Sequence, residues 1–318
     1  MIIRLGYVAI ALNLDKVTSS SNMTYTRYKK ILDVKKSENI LKSITRSNIE
    51  DLNKIIDYNI DNNIHFYRLT SRLIPLATHP EVQDWDYKKY FIKELQLLGK
   101  KINEHKIRVD CHPDQFNVIN TLSDKVFINT ITNLNHLLEV MMLMDNPYPK
   151  MVLHVGGAKG GKEEAIKRFI VNYNKLPQRI KKNIILENDD KVFNHIDVLR
   201  ICQKISMPMV LDYHHYICNN DKNLVDELGE ILSTWELEEL PPKIHISSPR
   251  NLVKDSRHSD FIKAKNFIEL VEMLKIFDKD VDIMIEAKMK DRALFKLVED
   301  INKLKEWKWI DNSTMYIN

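Results

Sequence analysis

Short β-rich runs alternate with longer amphipathic ones along the whole chain. Eight runs dense in Ile, Val, Leu and Met read as buried strands: IIRLGYV (2–8), HFYRLT (65–70), IRVDCH (107–112), MVLHV (151–155), NIILE (183–187), MPMVLD (207–212), KIHIS (243–247) and DIMIEA (282–287). Between them apolar residues recur at helical spacing, as in SNIEDLNKIIDYNIDNN, where Ser47 stands as a cap, and in YKKYFIKELQLLGKKINEH, SDKVFINTITNLNHLLEVMML, KEEAIKRFIVNYNKL, HIDVLRICQKI, LVDELGEILSTW, SDFIKAKNFIELVEMLKIF and RALFKLVEDINKLKEW. Eight strands alternating with eight helices predict an α/β fold, a (β/α)8 TIM barrel. A doubly wound open sheet is the second choice, and GxGxxG is absent after the first strand. No Pro/Gly/Ser linker or internal repeat divides the chain, so residues 1–318 are expected to form one domain.

Such a barrel carries its chemistry at the C-terminal ends of its strands. The third strand ends in His112, the fourth in His154, the fifth in Glu187, the sixth in Asp212 followed by His214 and His215, the seventh bears His245 and the eighth Glu286. A lone strand histidine is usually a satisfied core residue. Six successive strand ends converging on one mouth would bury charge at a density that needs a bound cation. Imidazole plus carboxylate without thiolate suits manganese first, then zinc, cobalt or iron. Two to three ions are expected, since shared carboxylates can bridge ions about 3.5–4 Å apart, an arrangement that cleaves phosphodiesters.

These residues sit in motifs: H-P-x-Q-(F/Y) at 112–116, L-H-x-G-G at 153–157, L-E-N-D at 186–189, L-D-x-H-H at 211–215, K-x-H-x-S at 243–247 and I-E-A-K at 285–288. Together they strongly resemble the UV damage endonucleases, the UvsE or UVDE family, relatives of endonuclease IV on a (β/α)8 barrel. The resemblance runs from GYV near the start to EAKMKD near position 290. It implies that His112 and His154 hold one ion, that Glu187 bridges to a second completed by Asp212, His245 and Glu286, and that His215 and His258 hold a third. It places His79 near the cluster. It implies catalytic parts for Glu187, Lys243, His245 and Glu286, Lys243 matching a lysine that the family carries carboxylated. Gln115 and Phe116 match a pair that probes a damaged dinucleotide, and Tyr7 an aromatic on the opposite side of the lesion. The implied activity is DNA repair: metal-dependent nicking of UV-damaged double-stranded DNA immediately 5′ to cyclobutane dimers and 6–4 products, leaving a 3′-hydroxyl and a 5′-phosphate, with abasic sites as a further candidate substrate. Two stretches depart from the family pattern. VAIAL stands where an Asn often follows the first-strand aromatic, and His214, His215 and Tyr216 stand where three histidines are common.

Composition and charge narrow the alternatives. Hydrophobic residues make up 44% and charged residues 29% of the 318, the balance of a globular enzyme. No apolar run approaches the roughly 18 residues of a membrane span, and MIIRLGYVAI reads as a strand and not a signal peptide. Three cysteines without CxxC fit a reducing cytoplasm, and Cys111, alternating away from His112, is expected to be inert. The net charge of +4 is mild, but Lys159, Lys162, Arg250 and Arg257 fall in loops and are expected to contact DNA phosphates. GGAKGGKE (156–163) misses the P-loop pattern at Glu163, so no nucleotide cofactor is expected. KLKEWKWIDN reads as a helix packing its Trp side chains on the barrel, and His65, His105, His136 and His195 read as structural. A monomer without membrane attachment is expected. An endonuclease IV-type abasic-site enzyme would carry Asp-x-His for its third ion, where this chain has Ser256-Arg257-His258. A xylose isomerase-type sugar isomerase would need neither the Gln-Phe pair nor a cationic rim. A damage-binding protein on a degenerate barrel would not need complete ligands.

Overall fold

A computed structural model describes residues 1–219, 224–252 and 254–318. All eight expected runs are strands: β1 (Ile2–Val8), β2 (Phe66–Leu69), β3 (Arg108–Cys111), β4 (Met151–His154), β5 (Ile184–Glu187), β6 (Met209–Asp212), β7 (Lys243–Ile246) and β8 (Val281–Ile285). They pair in parallel in sequence order, and β1 bonds to both β2 and β8, which closes the barrel. Helices surround it, so the TIM-barrel expectation holds.

Strand alternation sorts the side chains. Ile3, Leu5 and Tyr7, Val109 and Cys111, Leu153, Leu186, Leu211, Ile244 and Ile283 point outward and join the large core shared with the helices. Val152, Ile185 and Val210 form a separate small cluster with Trp235. Much of the remaining interior is charged. Arg108 on β3 donates to Asp282 on β8 at 2.7 Å, and Arg4 on β1 binds the same carboxylate at 2.6 and 2.7 Å. Lys243 on β7 reaches Asp110 on β3 at 2.5 Å, and Arg68 on β2 pairs with Glu286 just past β8. Several of these pairs join strands that are not neighbours, so the contacts cross the barrel interior. Each strand contributes every second residue, as in Arg108, Asp110 and His112, and the charged levels climb toward the C-terminal mouth.

Two elements differ from the sequence reading. The first long helix runs Val34–Asp61, starting thirteen residues before Ser47, because Asp33 caps it by accepting from the Lys36 amide and Ser37, Leu41 and Thr45 extend its buried face. At the C-terminus the helix ends at Leu304, and KWIDN is not helical. A short hairpin, β9 (Lys308–Trp309) and β10 (Thr314–Tyr316), replaces it, and β10 pairs antiparallel with the first half of β1, the part β2 leaves open. Trp307 and Trp309 still pack on the core, as expected of them, but from outside any helix, Trp309 from β9. Among the described residues no helix is long and apolar enough to cross a membrane.

Asp282 is fully buried and balances two guanidinium groups. Asp282→Ala should therefore lower stability by about 3–5 kcal/mol, the cost of stranding a buried charge. Urea unfolding measures this; a loss under about 1 kcal/mol, the worth of an exposed pair, would show that the floor pairs are not structural.

Candidate active site

Glu187 ends β5 with its side chain 1% exposed, and its two oxygens face different neighbours. Oε2 lies 3.1 Å from His112 Nε2 and 3.5 Å from His154 Nε2; Oε1 lies 2.6 Å from His245 Nδ1 and 4.0 Å from His215 Nδ1. Three groups of donor atoms close enough to share an ion result: His112, His154 and Glu187; Glu187, Asp212 and His215; Glu187, His245 and Glu286. Glu187 belongs to all three. The parallel register sets this up, since His154 is level with Glu187 on adjacent strands and Asp212 is level with His245.

Neighbouring groups orient these ligands. His112 Nδ1 donates to the Pro113 carbonyl at 2.9 Å, which leaves the Nε2 lone pair facing Glu187. Asn188 clamps the β6 end, accepting from the Asp212 amide at 2.8 Å and donating to the Asp212 carbonyl at 3.0 Å. Its own carbonyl receives His215 Nδ1 at 2.9 Å. Asp212 caps the short helix Tyr213–Cys218 through the His215 amide, so the D-x-x-H spacing brings carboxylate and imidazole together.

Burial and neighbouring charges set the protonation of the cluster in opposite directions. Burial alone would raise the Glu187 carboxyl, but His245, His154 and the His112 hydrogen bond hold it well below the usual range. Burial pushes Asp212 up to about 8 against the pull of His215, with Glu187 and Glu286 adding to the rise. His215 goes up to about 9: burial would lower it, and Asp212 and Glu187 outweigh that. Burial holds His245 down near about 4, and lowers His154 too, which favours the neutral, ligating imidazole. Asp212 Oδ2 is buried without a hydrogen-bond partner, an acceptor that a cation would satisfy. The donor set thus fits divalent ions.

Other expected site residues separate into groups. Gln115 and Phe116 stand exposed on the loop after β3, Phe116 at 73%, presented by a turn in which Asp114 accepts from the Phe116 amide at 3.0 Å. His258 packs its ring near His214 and His215, at 5.8 and 6.4 Å between centroids, but is in none of the three donor groups. His214 is buried behind them, its pKa lowered to about 4 by burial and by the neighbouring His258 and His215. His79 stacks on Tyr25 at 4.0 Å and lines a cleft of about 510 Å³ with Arg72, Asp114 and Asn117, outside the donor groups. Lys243 does not reach the mouth; it is fully buried one level down, its pKa lowered to about 8 by burial against the pull of Asp110. Tyr7 requires a correction. It points outward with Ile3 and Leu5, is 0% exposed, and donates to Asn59 at 2.7 Å, so alternation denies it to a DNA lesion. Lys159 and Arg250 are exposed, whereas Lys162 is held by Asp197 at 2.8 Å and Arg257 by Asp255 at 2.8 Å. Sequence reasoning missed Arg68 and Asp110. Their signal was the inward alternation Phe66-Arg68-Thr70 and Arg108-Asp110-His112.

Comparison with known proteins matches the chain to a known family over nearly its whole length. The family model described as UV-endonuclease UvdE matches residues 3–316. A protein of Bacillus cereus (strain B4264) named UV DNA damage endonuclease is 38% identical over 319 aligned positions, covering 99% of each chain. The crystal structure of SacUVDE superposes with a TM-score of 0.84 at 31% identity, covering 95% of this chain and 99% of that one. Endonuclease IV from Thermus thermophilus reaches a TM-score of 0.55 at 11% identity over 93% of this chain and 99% of that one, a likeness of fold alone.

Because Glu187 enters every donor group, Glu187→Gln should weaken Mn²⁺ binding by more than the roughly 10–100-fold that loss of a supporting partner costs. Metal content after dialysis, with circular dichroism as the fold control, checks this. Retention of wild-type metal content would remove Glu187 from the centre.

Proposed function

The chain belongs to the UV-endonuclease UvdE family, and on that premise we propose that this DNA repair endonuclease cuts duplex DNA immediately 5′ to UV photoproducts by metal-dependent hydrolysis, leaving a 3′-hydroxyl and a 5′-phosphate. The carrying observation is one buried carboxylate, Glu187, common to three donor groups at the mouth. His112, His154, Glu187, Asp212, His215, His245 and Glu286 would hold the ions, with His258 beside them. Divalent ions bound there, Mn²⁺ first among them, would supply polarisation of a phosphate oxygen and activation of water.

The chain's own residues do the rest. Asn188 and Pro113 fix the orientation of the ligand imidazoles. Lys243, bonded to Asp110, positions the level on which His245 stands. Phe116 and Gln115 would enter the duplex and replace stacking lost at a lesion, whose weak pairing lowers the cost of opening. Lys159 and Arg250 are free to meet phosphates; Lys162 and Arg257 would first exchange Asp197 and Asp255 for them. A covalent route through cysteine has no support. Burial pushes the Cys111 and Cys202 thiols far up, and burial with Asp190 and Asp212 pushes Cys218 up to about 11.

Phe116→Ala and Gln115→Ala should leave Mn²⁺ content unchanged. Phe116→Ala should weaken binding to lesion-bearing duplex by about 1–3 kcal/mol, the worth of one stacked base. Fluorescence anisotropy reads the binding; parallel loss of metal would make the loop a structural support of the cluster. The function itself is tested with end-labelled duplexes carrying one cyclobutane dimer, one 6–4 product, one abasic site or no lesion, incubated with Mn²⁺-loaded protein. Cutting next to the photoproducts with 3′-hydroxyl ends is expected. Cutting confined to abasic DNA would favour the endonuclease IV-type reading, and a 3′-phosphate or unsaturated sugar end would contradict hydrolysis.

A further inference from the structure

We propose that Arg68 is a resident cation of the cluster, standing in for one ion in the metal-free protein and making the Glu187–His245–Glu286 group the last of the three to fill. This rests on the divalent-ion reading above. Arg68 has a side chain only 6% exposed, at the inner face of β2. Nη1 donates to Glu286 Oε1, and Nη2 lies 2.6 Å from His245 Nε2 and 3.3 Å from Nδ1. The guanidinium therefore holds two of that group's three ligands. It also faces the charges of Asp110 and Glu187. Buried carboxylates without a counter-ion are costly, and Arg68 supplies one before any metal arrives.

The chemistry of His245 sharpens the conflict. A guanidinium has only donors, so His245 Nε2, its nearer partner, accepts and the ring proton sits on Nδ1. Nδ1 then donates to Glu187 Oε1 at 2.6 Å, with Glu286 Oε1 3.2 Å away. An ion shared by Glu187, His245 and Glu286 needs a lone pair on Nδ1, the atom facing both carboxylates. The ring proton must move to Nε2, where it meets the Arg68 N–H donor to donor. Arg68 must withdraw from His245, and Glu286 must exchange a guanidinium for an ion. Among the described residues, no Lys or Arg is hydrogen-bonded to His112, His154 or His215, so the other two groups have no such competitor.

Isothermal titration of metal-free protein with Mn²⁺ tests this. Wild type should show a weak class of one ion beside tighter binding. Arg68→Met should strengthen the weak class about tenfold or more, because a neighbouring positive charge is gone. Arg68→Lys, which keeps the charge, should stay close to wild type. The gain should vanish in the double variant Arg68→Met/Glu286→Gln, which assigns it to this group. The metal-free Arg68→Met protein should melt below wild type and be raised further by Mn²⁺; if it does not fold without metal, recovery on adding Mn²⁺ supports the proposal and failure to recover overturns it. An unchanged or weaker class in folded Arg68→Met, or equal strengthening in Arg68→Lys, also overturns it. Wild type that binds no Mn²⁺ would overturn the ion reading itself.

Discussion

One carboxylate, buried among four imidazoles, is the constraint around which this barrel is arranged. Glu187 stays ionised at 1% exposure only because positive or polarisable groups meet both of its oxygens. Those groups come from β4 and β7, from the residue after β3 and from the short helix after β6, so the register of several strands must agree to place them. A slip of one residue in any of those strands would turn its ligand out into the helix layer.

The levels beneath explain how a barrel tolerates such a mouth. Its interior is not a uniform apolar plug. Arg4 and Arg108 pair with Asp282, Lys243 with Asp110, and Arg68 with Glu286 at the mouth. Each charge has a partner from another strand, and several of those partners cross the barrel. Such pairs are poor sources of net stability, but they penalise any arrangement that breaks them. The fold therefore gains definition where the active site needs it, and Arg68 joins the structural pairs to the chemical cluster.

How much of this was legible in the sequence follows from what periodicity can encode. The eight strands and their ligand-bearing ends were readable because βα alternation and a two-residue inward step fix both place and direction. Other features needed the third dimension. Lys162, expected in a loop, opens the helix Lys162–Lys175, and its carboxylate partner lies 35 residues away on another helix. Arg68 lacks the signal of a ligand-bearing strand end because the second strand carries a cation, not a ligand type, among its inward residues. Tyr7 matched a family residue by type and position, yet it shares parity with Ile3 and Leu5, and that alternation already pointed it into the core. The terminal hairpin follows from an open stretch on the edge of β1, which no local pattern announces.

The most direct test is diffraction from Mn²⁺-soaked crystals at the manganese absorption edge, where anomalous peaks locate ions without reference to the protein atoms. Ions on both sides of Glu187, one at each carboxylate oxygen and about 3.5–4 Å apart, are the result this account predicts. A single ion bound without Glu187, or no ion at the barrel mouth, would contradict it.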